Sequence, residues 1–238
     1  MTQPTDLTEQ TLSRKDVYDG LLCHVHVDEV LLPNGHTSQR EVVDHVDGVA
    51  GLPLDERNNV LTVTQYRYVF KKLLLEIPAG KLDEGENPVT GALRELKEET
   101  GAVPDTLLPL GVILPAPGCY GEKLHLFLAR GLHMEDQHLD PDEFLNVERI
   151  PFTEMVHRVM DGEIEDAKTI AAVLKTKVLL GSAPGVEIVE YAKESGTEMI
   201  IMTRSSRGPL RKLGSVATYI VRNASFLDVI VMREEGDE

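Results

Sequence analysis

GKLDEGENPVTGALRELKEETGA, running from Gly80 to Ala102, passes through a turn, a helix and a stop, and its reading decides where the rest of the chain belongs. Asn87 before Pro88 predicts a helix start. The Asn side chain caps a free amide, and proline occupies the first helical position, where its missing N–H costs nothing. Val89, Ala92, Leu93 and Leu96 recur at helical spacing and predict one buried stripe. Gly101 predicts the end, because the left-handed conformation that closes a helix suits glycine. Glu95 and Glu99 stand four residues apart on one face, with Glu98 three residues beyond Glu95. Like charges so placed cost a helix about 0.2–0.5 kcal/mol per pair. A divalent cation removes that cost, and all-oxygen donors suit Mg2+ or Mn2+. A solvated acidic helix face fits the same residues.

Outward from this helix, residues 73–85 end a strand and enter a loop punctuated by Gly and Pro. Residues 21–30, 40–46 and 60–68 read as strands, with a turn at 33–37 and a connection at 53–59. Residues 107–132 read as two strands around a loop at 115–122. Helices are expected over 152–161 and 166–175, parted by a turn at Gly162. Beyond Lys177 the pattern becomes strand 177–180, helix 185–194, strand 199–202, helix 215–223 and strand 229–232. Such alternation predicts a small parallel α/β unit.

The chain has 238 residues, 42% hydrophobic and 27% charged, a globular balance. Its 24 basic against 40 acidic residues leave −16, which excludes a broad nucleic-acid-binding surface. Residues 178–238 hold 7 basic and 9 acidic residues, so the acidity belongs to the first part of the chain. No apolar run approaches the roughly 18 residues of a membrane span, and no secretory leader pattern opens the chain. A cytoplasmic protein without membrane or nucleic-acid partners is the expectation. Neither a P-loop nor a G-x-G-x-x-G pattern occurs. Cys23 and Cys119 have no metal-site spacing, and His24 with His26 reads as an exposed strand pair rather than as metal ligands.

Residues 80–102 resemble the signature of the Nudix hydrolases, G-x5-E-x7-R-E-U-x-E-E-x-G-U. Gly80, Glu86, Arg94, Glu95, Leu96, Glu98, Glu99 and Gly101 agree with it, and Ala102 stands where a bulkier aliphatic is usual. LEIPAGKLDEGENP, APGCYGEKLHLFLA with Pro117, YDG, REVVDH, QYRY and GEIEDAKT resemble the ADP-ribose pyrophosphatase branch, over residues 10–175. This implies an α+β Nudix fold for residues 1–176: a mixed sheet flanked by helices, preceded by an antiparallel sheet within about residues 1–50 that forms a homodimer. It also implies a small-molecule substrate, ADP-ribose, cleaved at its diphosphate to AMP and ribose 5-phosphate with Mg2+ or Mn2+. By the same resemblance Glu95 and Glu99 are metal ligands, with Glu98 assisting and the Ala79 carbonyl completing the shell. Glu122 is the general base, Arg67 clamps a phosphate, and Glu76 accepts substrate hydroxyls. Arg40 touches substrate or a dimer partner. Gly80, Glu86, Arg94 and Gly101 shape the loop and helix, Glu86 and Arg94 as an ion pair. On residue type alone Glu122 also fits an exposed loop acid, and Arg67 a surface ion pair. Two other functions stay open: hydrolysis of a different nucleoside diphosphate sugar, and non-catalytic sensing of ADP-ribose.

Residues 178–233 resemble the second half of a universal stress protein, through VLLGSAPGVEIVEYAKESGTEMIIMT, GSVATYIVRNAS and DVIVMR. Gly214 and Ser215 match that family's phosphate loop, but Thr203 and Ser206 replace its earlier glycines. Close backbone approach to phosphate is lost with them. The segment 177–238 is therefore read as a packing or dimerisation half-domain.

Overall fold

The computed structural model describes residues 6–139, 141, 143–181, 199–204 and 228–233. The chain divides into two compact units, Met1–Leu174 and Lys175–Glu238. In the first, β1 (Gln10–Asp19), β2 (Cys23–Leu31) and β3 (Thr37–His45) form an antiparallel sheet in that order. All ten residues of β1 are exposed, and it lacks the apolar alternation by which a strand shows itself in sequence.

The core begins at β4 (Gly48–Pro53), every residue of which is buried. It lies in a mixed sheet of order β7-β4-β9-β8, with β7 (Ala79–Lys81), β8 (Ala102–Ile113) and β9 (Leu124–Met134); β4 and β9 run parallel. β8 carries Pro104 and Pro109, tolerable because it is an edge strand. A second sheet has the order β10-β5-β6, from β5 (Asn59–Arg67), β6 (Lys72–Glu76) and β10 (Leu145–Pro151).

Helix α1 (Pro88–Thr100) starts and stops where its residues say. The Asn87 side chain accepts from Val89 N–H, and Gly101 at φ +70° donates its N–H to Leu96 and Lys97 carbonyls. Leu96 is fully buried over Gly51, where any Cβ would come within 2.9 Å of it. Burying such a side chain contributes roughly 1.5–3 kcal/mol. The buried stripe differs from the expected one. Val89 and Leu93 are exposed, whereas Glu95, Glu99 and Thr100 join Ala92 and Leu96 inside. The helix is turned so that its carboxylates, not its outer aliphatics, face the sheet.

Helices α2 (Phe152–Met160) and α3 (Ala167–Gly181) follow. Residues 177–180, expected as a strand, are helical within α3; a short apolar run fits either period. In the second unit β11 (Met199–Arg204) pairs in parallel with β12 (Asp228–Arg233), Met199 opposite Asp228. The helices expected over 185–194 and 215–223, and the loop positions Ser206, Gly214 and Ser215, lie outside the described residues. His26 is buried rather than exposed, with Nδ1 2.9 Å from Asp28 and Nε2 3.2 Å from Asp44.

Candidate active site

A cavity of about 400 Å³ opens in the first unit where β5, β7, α1, the loop before β9 and the start of α3 converge. Its wall includes Arg67, Ala79, Gly80, Glu99 and Glu122 among the expected residues. It also includes Lys81, Glu143, Asp166 and Lys168, which sequence reading did not single out.

On the helix side Arg94 organises the acids. Its guanidinium donates to both Glu86 oxygens at 3.1 and 2.9 Å, to Glu95 at 2.8 Å, to Glu98 at 3.0 Å and to the Lys81 carbonyl at 3.0 Å. The expected Glu86–Arg94 pair is present and belongs to this larger fork, which ties the loop of residues 81–87 to α1. Glu95 lies over Gly80, where a Cβ would stand 2.0 Å from its Oε1, so glycine is what admits that carboxylate. Glu99 accepts from Ala79 N–H at 3.1 Å. Glu95 and Glu99 are 8% and 3% exposed. Burial pushes both carboxyls up, and the charge of Glu95 adds to the effect on Glu99, which is pushed up to about 8. Among the described residues no three acidic, histidine or cysteine side chains close around one point. Glu95 and Glu98 instead turn to Arg94, and Glu98 stays partly exposed.

These groups fit a divalent cation. Two buried carboxylates sit together, all their donor atoms are hard oxygens, Glu99 lines the cavity, and Gly80 in the cavity wall makes room for Glu95. An incomplete protein cage suits a hard divalent cation that keeps waters and substrate oxygens in its shell.

On the opposite wall Arg67 forms a bidentate pair with Glu76, Nε and Nη2 each 2.7 Å from an oxygen. Lys168 also donates to Glu76, and to Asp166 at 3.0 Å. Glu76 is 1% exposed, holds Arg67 and Lys168 through both its oxygens, and is not among the residues that line the cavity. Burial alone would raise its carboxyl, but the two cations hold it below the usual range. Asp166 caps α3, accepting from Thr169 N–H at 2.9 Å and Thr169 Oγ1 at 2.6 Å. Thr169 Oγ1 in turn receives Ile77 N–H at 2.9 Å, which fixes Lys168 beside the β6–β7 loop. GEIEDAKT held the signal for Lys168: an Asp cap before a helix, followed two residues later by a cation.

Glu122 reaches the cavity from the loop before β9, and burial raises its carboxyl. Arg40 is not brought to the cavity. It is held on β3 by Glu9, with Nε 2.9 Å and Nη2 2.5 Å from the carboxylate oxygens.

Comparison with known proteins agrees with this geometry. The NUDIX domain model matches residues 44–173, and the model for the nucleoside diphosphate sugar hydrolase N-terminal domain matches residues 9–43. The universal stress protein family model matches residues 129–233, starting well before residue 178 and overlapping the first match. The chain is 37% identical over 169 residues to an ADP-ribose pyrophosphatase of Bacillus subtilis, covering 70% of this chain and 91% of that one. It is 38% identical over 167 residues to a methanol dehydrogenase activator of Bacillus methanolicus, covering 69% and 90%. A crystal structure of an ADP compounds hydrolase superposes with a TM-score of 0.67 at 23% identity, over 75% of this chain and 97% of that one, and so shares the fold.

Proposed function

The chain belongs to the Nudix family, and from that premise we propose that it hydrolyses the diphosphate of ADP-ribose to AMP and ribose 5-phosphate with Mg2+ as its cation. The charge inventory of the cavity carries this reading. Arg67, Lys81 and Lys168 line the cavity together with Glu99, Glu122, Glu143 and Asp166, so the wall has no surplus of positive charge for a dianionic diphosphate, and a cation would supply it. When bound, a divalent cation neutralises phosphate charge and lowers the pKa of an attacking water. Glu95 and Glu99, with the Ala79 carbonyl and Glu98 assisting, would hold it, in competition with Arg94 for Glu95. Arg67 and Lys168 supply donors for phosphate oxygens, the former as a planar fork. Glu76 keeps both aimed. Glu122 is suited to take the water's proton, since burial moves its carboxyl toward the working pH.

The choice of ADP-ribose rests on the similarity to a pyrophosphatase of that name, and the wider class on the match at residues 9–43. The reading extends to a homodimer through the N-terminal sheet, supported by the ten exposed residues of β1, including Leu12, Val17 and Tyr18. It also places the protein in the cytoplasm, where the two free thiols, Cys23 and Cys119, are stable. Among the described residues no helix is long and apolar enough to cross a membrane.

The test is a panel of ADP-ribose, ADP-glucose and GDP-mannose with Mg2+ or with EDTA, products resolved by ion-exchange chromatography. AMP from ADP-ribose at the highest kcat/KM, abolished by EDTA, is expected. Faster cleavage of another sugar nucleotide would move the substrate, and tight ADP-ribose binding without cleavage would leave a sensor.

A further inference from the structure

The N-terminal sheet does more than flank the catalytic unit. One edge of β3 pairs with β2; the other takes up the loop that carries Glu122. Val43 N–H donates to the Cys119 carbonyl at 2.8 Å, and Gly121 N–H donates to the Val43 carbonyl at 2.9 Å. Two residues along β3, the His45 ring lies 5.2 Å from the Tyr120 ring at 41°. Its Nδ1 donates to the Val46 carbonyl at 2.7 Å, which fixes the ring and keeps a proton on that nitrogen, because a carbonyl can only accept. The same Nδ1 stands 4.0 Å from Glu122 Oε1, and both side chains are mostly buried. Gly48 closes the other side, where a Cβ would lie 3.1 Å from Glu122 Oε1.

We infer that His45 is a positioning residue for Glu122. Its ring braces Tyr120, its polar edge lies beside the carboxylate, and the Val43 main chain pins the loop between them. The inference rests on Glu122 being the general base, as proposed above. It makes the N-terminal sheet part of the catalytic apparatus, so any movement of that sheet is felt at the base. The titratable groups around Glu122 are His45 on β3, Asp47 in the turn after it, Tyr120 on its own loop and Lys168 on α3. His45 and Lys168 favour the ionised carboxylate, and Asp47 opposes it.

The experiment compares His45→Leu, His45→Asn and Glu122→Gln in the full chain with ADP-ribose and Mg2+, reading kcat, KM, the pH–rate profile and thermal melting. A positioned base supplies about 10²–10⁴-fold, so loss of its brace is expected to lower kcat about tenfold with KM within about twofold. The acid limb of the profile should move to higher pH in His45→Leu, because an apolar side chain in place of the polar imidazole leaves the half-buried carboxylate less well solvated and harder to ionise. Asn places an amide N–H near the position of Nδ1 and should recover most of kcat and return the limb. Equal losses in the Leu and Asn variants with an unmoved limb would mean a merely structural role and overturn the inference, as would unchanged kcat in His45→Leu. If His45→Leu does not fold, Tyr120→Leu, which removes the braced ring, must lower kcat and shift the same limb, or the inference falls. Undiminished activity in Glu122→Gln would remove the base assignment and this inference with it, whereas its loss beside a normal His45→Leu would remove the inference alone.

Discussion

Glu99→Gln should stabilise the metal-free protein while abolishing its activity. Glu99 is 3% exposed, and its carboxyl is pushed up to about 8 from the ordinary 4.5 by burial and by Glu95. Between these values the unfolded chain has released a proton that the folded chain still holds, so stability falls as pH rises, by about 1.4 kcal/mol per pH unit for one such group. At pH 7 that amounts to about 3 kcal/mol, absent below pH 4.5 and greatest above 8. Glutamine keeps the shape and the acceptor for Ala79 N–H but does not ionise. Allowing for burial of its amide, the variant should gain about 2 kcal/mol over the parent at pH 7 in EDTA, and nothing at pH 4.5. Excess Mg2+ should reverse the order, because a ligand that binds the folded parent alone stabilises it by RT ln(1 + [L]/Kd). The measurement is urea denaturation followed by circular dichroism at several pH values, with EDTA or Mg2+. A variant less stable than the parent in EDTA at pH 7, or a difference that does not change between pH 4.5 and 8, would refute the reasoning.

Gly80→Ala should separate chemistry from folding. The added Cβ meets the flexible end of Glu95, which swings away, so melting should shift by only a few degrees while kcat falls on the order of 10²-fold, as an ångström of misplacement costs. Glu76→Gln should behave in the opposite way, lowering stability at neutral pH by about 2 kcal/mol, below the roughly 3–5 of a broken buried pair because Arg67 still reaches water. Its carboxyl is held low in the folded state, so the stability it contributes is present above the ordinary carboxylate range and lost as pH falls below it. Denaturation at pH 7 and pH 3 checks this: the deficit should be smaller at pH 3 than at pH 7, and KM should rise at pH 7 as Arg67 and Lys168 lose their anchor.

What sequence discloses here is what local chemistry fixes. Asn87, Pro88 and Gly101 set the ends of α1 through contacts within a few residues, and the glutamate spacing follows from the helical repeat. The face that α1 buries was not legible, because hydrophobic periodicity counts Val89 and Leu93 as core and glutamate as surface. That rule fails where carboxylates are buried for a purpose. β1 carried no apolar alternation and is exposed throughout, and in β10 the alternation begun by Leu145 and Val147 breaks off at Arg149. Lys168 has a local signal in its Asp166 cap, but it and His45 meet the acids of the site by tertiary contact, the former 92 residues from its partner Glu76. Nothing in either residue's neighbourhood states which acid it will meet.

Glu76 and Glu99 show why burial by itself does not identify a working carboxylate. Both are almost completely shielded, and burial pushes each carboxyl upward. Glu76 meets a guanidinium and an ammonium and ends below its ordinary value; Glu99 meets an amide N–H and a second glutamate and ends near 8. The difference lies in the partners. A compensated acid already has its counterions from the chain, so it can anchor cations but has no charge to offer a ligand. An uncompensated one destabilises the fold until something positive arrives. By that criterion Glu76, which looked like a substrate-binding group in sequence, is an anchor for Arg67 and Lys168, and Glu99, beside an Arg94-bound Glu95, is the acid to which a divalent cation would add most. Under the proposed metal role, the energy the metal-free fold forgoes at Glu99 would be recovered on binding, which would tie the stability of this helix to the chemistry proposed for it.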